Sequence, residues 1–304
     1  MKKVLWLLEA GLFIVLSVPI AILPFRFSIK AGDLLGLLLF YIWRSRRGIA
    51  IENIERSELS PQASRRGDRT QNSEPRKIAK ETLRNLGRSF VEVIKIYYGL
   101  GKRVIDSVEI EGIENFNNAK AKEKGVLLIT GHCGNWELMA IAWSAKLSGI
   151  AVVARPINNP YVNKFIEKTR QRYGNSVIYK QGALKNILHT FKRGGSVGIL
   201  MDQAVLADEG YVIDFLGRGA WTTKIPALIA RKTGASVLPV FIHRIDNGHR
   251  ITIHPEVELS NIDDKENAVF EDTKKFSSYI ETYIRENPSE WLWIHRRWKR
   301  VKQD

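Results

Sequence analysis

The chain has 304 residues, 44% of them hydrophobic, with 47 lysines and arginines against 32 aspartates and glutamates, a formal net charge of +15. That length supplies a sizeable core for one large globular domain plus an appendage. The single cysteine, Cys133, excludes an intramolecular disulfide and fits a reducing compartment. The charge implies an anionic partner, whether nucleic acid, an anionic membrane surface or acidic substrates and carriers.

Residues 4–24 read VLWLLEAGLFIVLSVPIAILP. One charge, Glu9, interrupts about twenty apolar residues, enough for a helix to cross a bilayer. Near the bilayer centre Glu9 would cost roughly 2–3 kcal/mol, but in the first third of the run it sits shallower. Pro19 kinks such a helix without forbidding it. Lys2 and Lys3 ahead of the run raise the alternative of a signal peptide. The length of the run, the lack of a clean small-x-small cleavage site and the apolar stretch that follows argue against it. That stretch, with LLGLLLFYIW at 34–43, is too short to span, and an interfacial helix is predicted over residues 31–43. Residues 1–48 are therefore expected to anchor the chain and residues 49–304 to form the main domain. Arg26, Lys30, Arg44, Arg46 and Arg47 outnumber Lys2 and Lys3 across the run, so the positive-inside bias predicts a single pass with the domain on the cytoplasmic face.

Residues 56–77 are polar and read as an exposed loop. Leu83, Leu86, Phe90, Val91, Val93, Ile94 and Ile96 then recur at helical spacing, predicting a helix over 78–100. From residue 108 short strands and helices alternate. Strands are expected at 108–111, 125–130, 151–154, 176–179 and 196–201, a short extended piece at 211–215, and a hairpin of 236–244 with 250–256 around Asp246-Asn247-Gly248. Helices are expected at 135–147, 160–173, 183–192, 222–233 and 265–285, with Asn135 and Thr222 as N-caps. The runs GVLLIT and SVGILM are wholly apolar, as in strands buried on both faces. This predicts an α/β fold with a largely parallel central sheet flanked by helices. Ligands in such sheets bind beyond the carboxyl ends of the strands, where His132, Arg155 and Asp202 fall.

His132 closes a buried strand and Glu137 opens the next helix. Within one helix a spacing of five would set the two side chains about 140° apart, at ~100° per residue, and they would not meet. Gly131 and Gly134 permit a tight turn instead. The expectation is that the turn folds Glu137 back onto the imidazole. A neutral imidazole with a pKa near 6.5 can take a proton from an alcohol, while a carboxylate on its other nitrogen fixes the tautomer. The nucleophile is then a substrate hydroxyl. Cys133, beside His132, reads as small buried filler rather than a nucleophile.

Several segments occur in order: Gly131–Glu137 (GHCGNWE), Ala154-Arg155-Pro156 with Asn159-Pro160, Arg170-x-Arg172-x-Gly174, Met201-Asp202-Gln203, Phe215-Leu216-Gly217, Thr222-x3-Pro226-Ala227, and Pro288-x2-Trp291-x-Trp293-x-His295-x-Arg297-x-Lys299. Together they resemble the lipid A biosynthesis acyltransferase family (the lauroyl- and myristoyl-transferring enzymes) within the lysophospholipid-acyltransferase-like superfamily. The similarity runs from the N-terminus to Lys299, with 56–77 idiosyncratic. The resemblance implies an acyl-carrier-protein donor and, as acceptor, a hydroxyl on an acyl chain of a phosphorylated glucosamine disaccharide, a lipid A precursor. It implies action at the cytoplasmic face of the inner membrane with no metal or organic cofactor. It carries the catalytic pair onto His132 and Glu137, and links Arg170 and Asp202 to catalysis or substrate binding.

The chemistry of the residues leaves some roles open. Arg155 and Arg170 fit phosphate contacts or an oxyanion partner; Arg170 also fits the solvated face of a basic helix. Asp202 fits a ligand or a turn. The terminal WLWIHRRWKR interleaves Trp with Arg and Lys, which suits an anionic membrane surface and also nucleic acid. The N-terminal anchor favours the membrane, and no nucleic-acid motif accompanies it. The His-x4-Glu chemistry equally serves an acyltransferase with a glycerolipid or other glycolipid acceptor. No Gly-x-Ser-x-Gly element points to a hydrolase.

Overall fold

Pro24 stands between two N-terminal helices, α1 (Lys2–Ile22) and α2 (Phe25–Ile42), in a computed structural model that describes residues 2–59, 74–179 and 182–301. By length and composition α1 suffices to cross a membrane. Most of its leucines and valines are exposed, and only Ser17 and Ala21 are buried.

The second helix differs from the short interfacial element expected over 31–43. It begins at Phe25, and one face is packed against α4 (Glu74–Tyr97). Ser28, Gly32, Gly36 and Phe40, four residues apart, form the buried face. Gly32 and Gly87 bring the two backbones together, and a Cβ on either would collide with the carbonyl oxygen of the other. Asp33 then bridges Arg84 and Arg88 of α4, each at 2.6 Å. The helix therefore takes in Arg26, Lys30 and Asp33, ahead of the apolar stretch that the sequence marks. Of the loop expected over 56–77, residues 60–73 lie outside the described residues, and α4 already starts at Glu74.

The main domain follows as α3 (Arg44–Glu55), α4, α5 (Lys102–Asp106), β1 (Val108–Glu111), α6 (Ile113–Ala121), β2 (Val126–Thr130), α7 (Trp136–Lys146), β3 (Ile150–Ala154), α8 (Pro160–Arg172), β4 (Ser176–Tyr179), α9 (Ala183–Lys192), β5 (Ser196–Leu200), β6 (Gly210–Asp214), β7 (Gly219–Thr223), α10 (Ile225–Thr233), β8 (Ser236–Ile245), β9 (Gly248–Ile253) and α11 (Lys265–Glu286). Seven strands form one sheet in the order β1-β9-β8-β2-β5-β3-β4, and β8 with β9 is its antiparallel pair. The hairpin turn is Asp246-Asn247, as the sequence predicts. The expected α/β fold with a largely parallel sheet is what the chain adopts.

The central strand β2 shows why its sequence is apolar throughout. Leu127 and Ile129 enter the core shared with α9, α10, α11 and the C-terminal tail, while Val126 and Leu128 enter the core shared with α6 and α7. Both faces are covered, so no polar alternation survives.

Two expectations are corrected by β7. The extended piece near 211–215 is β6, and its antiparallel partner β7 occupies residues expected to start a helix. Thr222 is therefore no N-cap; it is fully buried in β7, where its hydroxyl accepts a hydrogen bond from Arg297 at 2.5 Å. The tail is corrected as well. Trp291, Trp293, Trp298 and Arg297 are buried, not arrayed on a surface. Each indole N–H has an internal acceptor, respectively Asp202, the Pro288 carbonyl and the Phe215 carbonyl. The Arg297 guanidinium lies 4.5 Å from the Phe215 ring centroid. With their N–H groups so partnered the tryptophans serve as core, and Arg297 joins them through its two Nη groups and the Phe215 face. Asn53 of α3 ties the tail down by donating to the carbonyls of Trp293 and His295, both at 2.8 Å.

Candidate active site

Sheet register assembles the site. Thr130, the last residue of β2, pairs with Leu200, the last of β5. Two residues beyond each end stand His132 and Asp202, and Nδ1 of His132 lies 2.8 Å from Oδ1 of Asp202. The other carboxylate oxygen accepts from the Trp291 indole at 2.8 Å. The tail also pairs with the turn itself. Leu292 N–H donates to the His132 carbonyl, Gly134 N–H donates to the Glu290 carbonyl, and Cys133 bridges Trp291. Three chain segments far apart in sequence thus hold one imidazole.

Electrostatics follow from this packing. Asp202 is 2% exposed, and burial alone would raise its pKa; the His132 charge and the hydrogen bonds from His132 and Trp291 outweigh that and hold it well below the usual carboxylate range. For His132 burial is again the largest influence and pulls the pKa down. The charge and hydrogen bond of Asp202, then the charge of Glu137, reverse this and leave it above 6.5. With Asp202 accepting from Nδ1–H, Nε2 carries the lone pair. Gln203 Nε2 lies 3.3 Å from that atom. Trp136 packs edge-on against the ring, with centroids 5.1 Å apart.

The expected contact of Glu137 with the imidazole is not made. Glu137 does sit in the first turn of α7, after a turn at Gly134 with φ +55°, where a Cβ would strike the Ile242 carbonyl oxygen. From there its carboxylate meets Arg170 of α8 instead. Arg170 Nη2 donates to Oε1, and Nε donates to Oε2 at 3.3 Å; Tyr97 OH donates to Oε2 at 3.4 Å. The fork of a guanidinium matches a carboxylate better than an imidazole edge does, and it claims both oxygens. Arg170 is thus directed at an ion pair and not at bulk solvent. Burial, then the Glu137 charge, keeps the Tyr97 hydroxyl protonated.

A buried carboxylate supports the turn from below. Glu92 of α4 accepts from Asn135 Nδ2 at 2.9 Å and from Arg244 at 2.6 and 2.9 Å. Burial would raise the Glu92 pKa, but His249 and Arg244 bring it down to about 2. Asn135, as expected, caps α7 by accepting from Leu138 N–H. Arg155 follows β3 and is exposed. Cys133 is buried, and burial pushes its thiol pKa well up, which disfavours the nucleophilic thiolate. Among the described residues no group of three or more His, Cys, Asp and Glu side chains is placed to hold a metal ion.

Beside the imidazole, between the sheet and α7, lies a narrow apolar cleft, partly open to solvent. Thr130 and Trp136 line its near end, with Met139, Trp143, Ile150 and Gly198 among its other walls. The arrangement can accept a proton from a hydroxyl at His132 Nε2 beside an apolar cleft.

Trp291, Tyr97 and Glu92 are the residues that sequence reasoning passed over. Trp291 lay in a segment read as surface, and the other two lay on a helix read only for its apolar face. Comparison with known proteins adds an independent line. The profile of a family described as "Bacterial lipid A biosynthesis acyltransferase" matches residues 2–300. The chain is 26% identical over 283 residues to the lipid A biosynthesis palmitoleoyltransferase of Escherichia coli (strain K12), a match covering 91% of this chain and 86% of that protein. It is 25% identical over 286 residues to the lipid A biosynthesis lauroyltransferase of the same strain, covering 91% and 87%. It is also 26% identical over 225 residues to a phosphatidylinositol mannoside acyltransferase of Mycobacterium tuberculosis, covering 71% and 69%.

Proposed function

The chain belongs to the bacterial lipid A biosynthesis acyltransferase family, and from that premise we propose that it moves a fatty acyl chain from an acyl carrier protein to a hydroxyl of a lipid A precursor, with His132 as general base. The observation that carries the mechanism is the 2.8 Å contact of His132 Nδ1 with Asp202. Asp202 fixes the tautomer and stabilises the imidazolium, and Nε2 takes the proton of the acceptor hydroxyl. The oxygen attacks the thioester carbonyl, the tetrahedral intermediate collapses with cleavage of the carbon–sulfur bond, and the imidazolium returns its proton to the departing thiolate. Glu137 acts through Arg170, whose charge serves the oxyanion or a substrate phosphate. Arg155, exposed beyond β3, offers a further phosphate contact. No step draws on a metal or organic cofactor.

The apolar cleft takes the donor chain, and the exposed apolar face of α1, which is packed on the domain from Trp6 to Ala21, holds the protein at the cytoplasmic side of the inner membrane, where the basic surface meets anionic headgroups. The 1–48 anchor and 49–304 domain division belongs to this reading, with α2 packed on the domain. The second reading, a different glycolipid acceptor, draws on the similarity to the phosphatidylinositol mannoside acyltransferase.

One assay tests both readings. Purified protein is offered a panel of acyl-carrier-protein thioesters with a lipid A precursor, then with a mannosylated glycerolipid. Transfer to the lipid A precursor is expected, and His132→Ala should lower it by about 10³-fold or more. Transfer only to the mannolipid would replace the first reading by the second, and a fully active His132→Ala would sink the mechanism.

The cleft carries a prediction of its own. Gly198 lies mid-strand, and a Cβ there meets only Ile150 and Val152 at 3.8 and 3.9 Å, so Gly198→Ala should fold normally. Gly198→Leu projects into the cleft. In a donor panel the longest chains are expected to lose about tenfold in kcat/KM, since two methylenes excluded at ~0.8 kcal/mol each suffice. An unchanged chain-length profile in a folded Gly198→Leu protein would place the chain elsewhere.

A further inference from the structure

A tether works better without a carboxylate in its apolar run, yet α1 carries Glu9. In the fold that carboxylate has a partner. Asn159 Nδ2 donates to Glu9 Oε2 at 3.0 Å and to the Trp6 carbonyl at 2.8 Å. The amide oxygen of the same side chain caps α8, accepting from the N–H of Tyr161 at 3.0 Å and of Val162 at 3.3 Å. Asn159 is 6% exposed, so its amide has few alternatives to these four partners.

The helix capped in this way is the one that carries Arg170. A second link joins α1 to it near its middle, where Phe13 meets Phe165 at 6.2 Å between ring centroids. Phe165 in turn packs on Tyr97 and Tyr98, both at 5.7 Å. Tyr97 and Arg170 both bind Glu137. The far end of α1 is pinned separately. Lys95 donates to the carbonyls of Ala21 and Leu23, and Ser17 shares a hydrogen bond with Tyr98. Losing the Glu9 contact therefore leaves α1 in place while the Asn159 amide, and with it the start of α8, is held by the Trp6 carbonyl alone.

We infer that Glu9 is a positioning residue for the active site: by holding the Asn159 amide it sets the first turn of α8, and with it the place where Arg170 meets Glu137. The inference rests on the acyl-transfer reading for its kinetic measurement and not for its structural one. Glu9→Leu makes α1 a more apolar tether, so a helix that only anchors would be improved by it. Glu9→Gln keeps an oxygen able to accept from Asn159.

The test uses the full-length protein in lipid nanodiscs, wild type and both variants. Steady-state kinetics are measured together with hydrogen exchange of the 161–162 amides. For Glu9→Leu, kcat should fall about tenfold, from loss of a charge-assisted hydrogen bond, with KM for the donor little changed. Exchange at those two amides should quicken about fivefold, as expected for a weakened N-cap. Glu9→Gln should restore both. Three outcomes would overturn the inference: wild-type kcat and exchange in Glu9→Leu; a kcat loss without faster exchange; or a Glu9→Gln protein as impaired as Glu9→Leu. If the wild-type protein transfers no acyl group, the acyl-transfer reading falls, and exchange alone decides the positioning role.

Discussion

Asp202→Asn is expected to lower kcat by about 10³–10⁴-fold while leaving the protein folded, the scale known for replacing the carboxylate behind a catalytic imidazole. Asparagine keeps the volume and can still accept from Trp291, but it can present its amide N–H to Nδ1 and favour the wrong tautomer. The pH profile separates this from a general loss of structure. In the wild type, Asp202 and Glu137 together lift the His132 pKa above 6.5 against burial, which acts to lower it. A base works only when deprotonated, so kcat/KM should rise with pH through that raised value. Removing the Asp202 charge lets burial prevail, and the acid limb of the residual activity should move to lower pH. An acid limb that stays put, or a kcat within a few fold of wild type, would show that Asp202 does not govern the imidazole.

Why the sequence pointed to Glu137 is a matter of distance along the chain against distance in space. His132, Asp202 and Arg155 could be placed at carboxyl ends of strands, because apolar runs such as 126–130 and 196–200 announce buried parallel strands. That β2 neighbours β5 was not legible, since β3 and β4 intervene in sequence and strand order is set by the packing of the crossover helices. Without that adjacency the nearest carboxylate along the chain, Glu137, took the role. Gly134 was read for what it is, a turn residue, yet a turn does not decide which partner a carboxylate meets. The tail failed for a related reason. Alternating Trp and Arg look the same on a surface as in a core whose indoles find acceptors, and those acceptors, Asp202, Pro288 and Phe215, come largely from elsewhere in the fold. Glu9 is the converse case. The sequence marked it as costly, and the fold supplies the amide that explains it.

A double-mutant cycle decides what Glu137 contributes. Glu137→Gln and Arg170→Gln should each lower kcat/KM by about 10²-fold, because each leaves a partly buried charge without its partner. The double variant should be no worse than the weaker single, giving a coupling of about 2–3 kcal/mol, the mark of residues that act as a unit. Had Glu137 oriented the imidazole directly, its loss would add to that of Arg170, and its effect would depend on Asp202. The cycle of Glu137→Gln with Asp202→Asn supplies that control. Asp202 holds Nδ1 while Glu137 is held by Arg170 and Tyr97, so these two substitutions should combine almost additively. Additivity in the Arg170 cycle together with strong coupling in the Asp202 cycle would return Glu137 to the imidazole; the opposite pattern makes the His-x4-Glu spacing a device for placing an arginine.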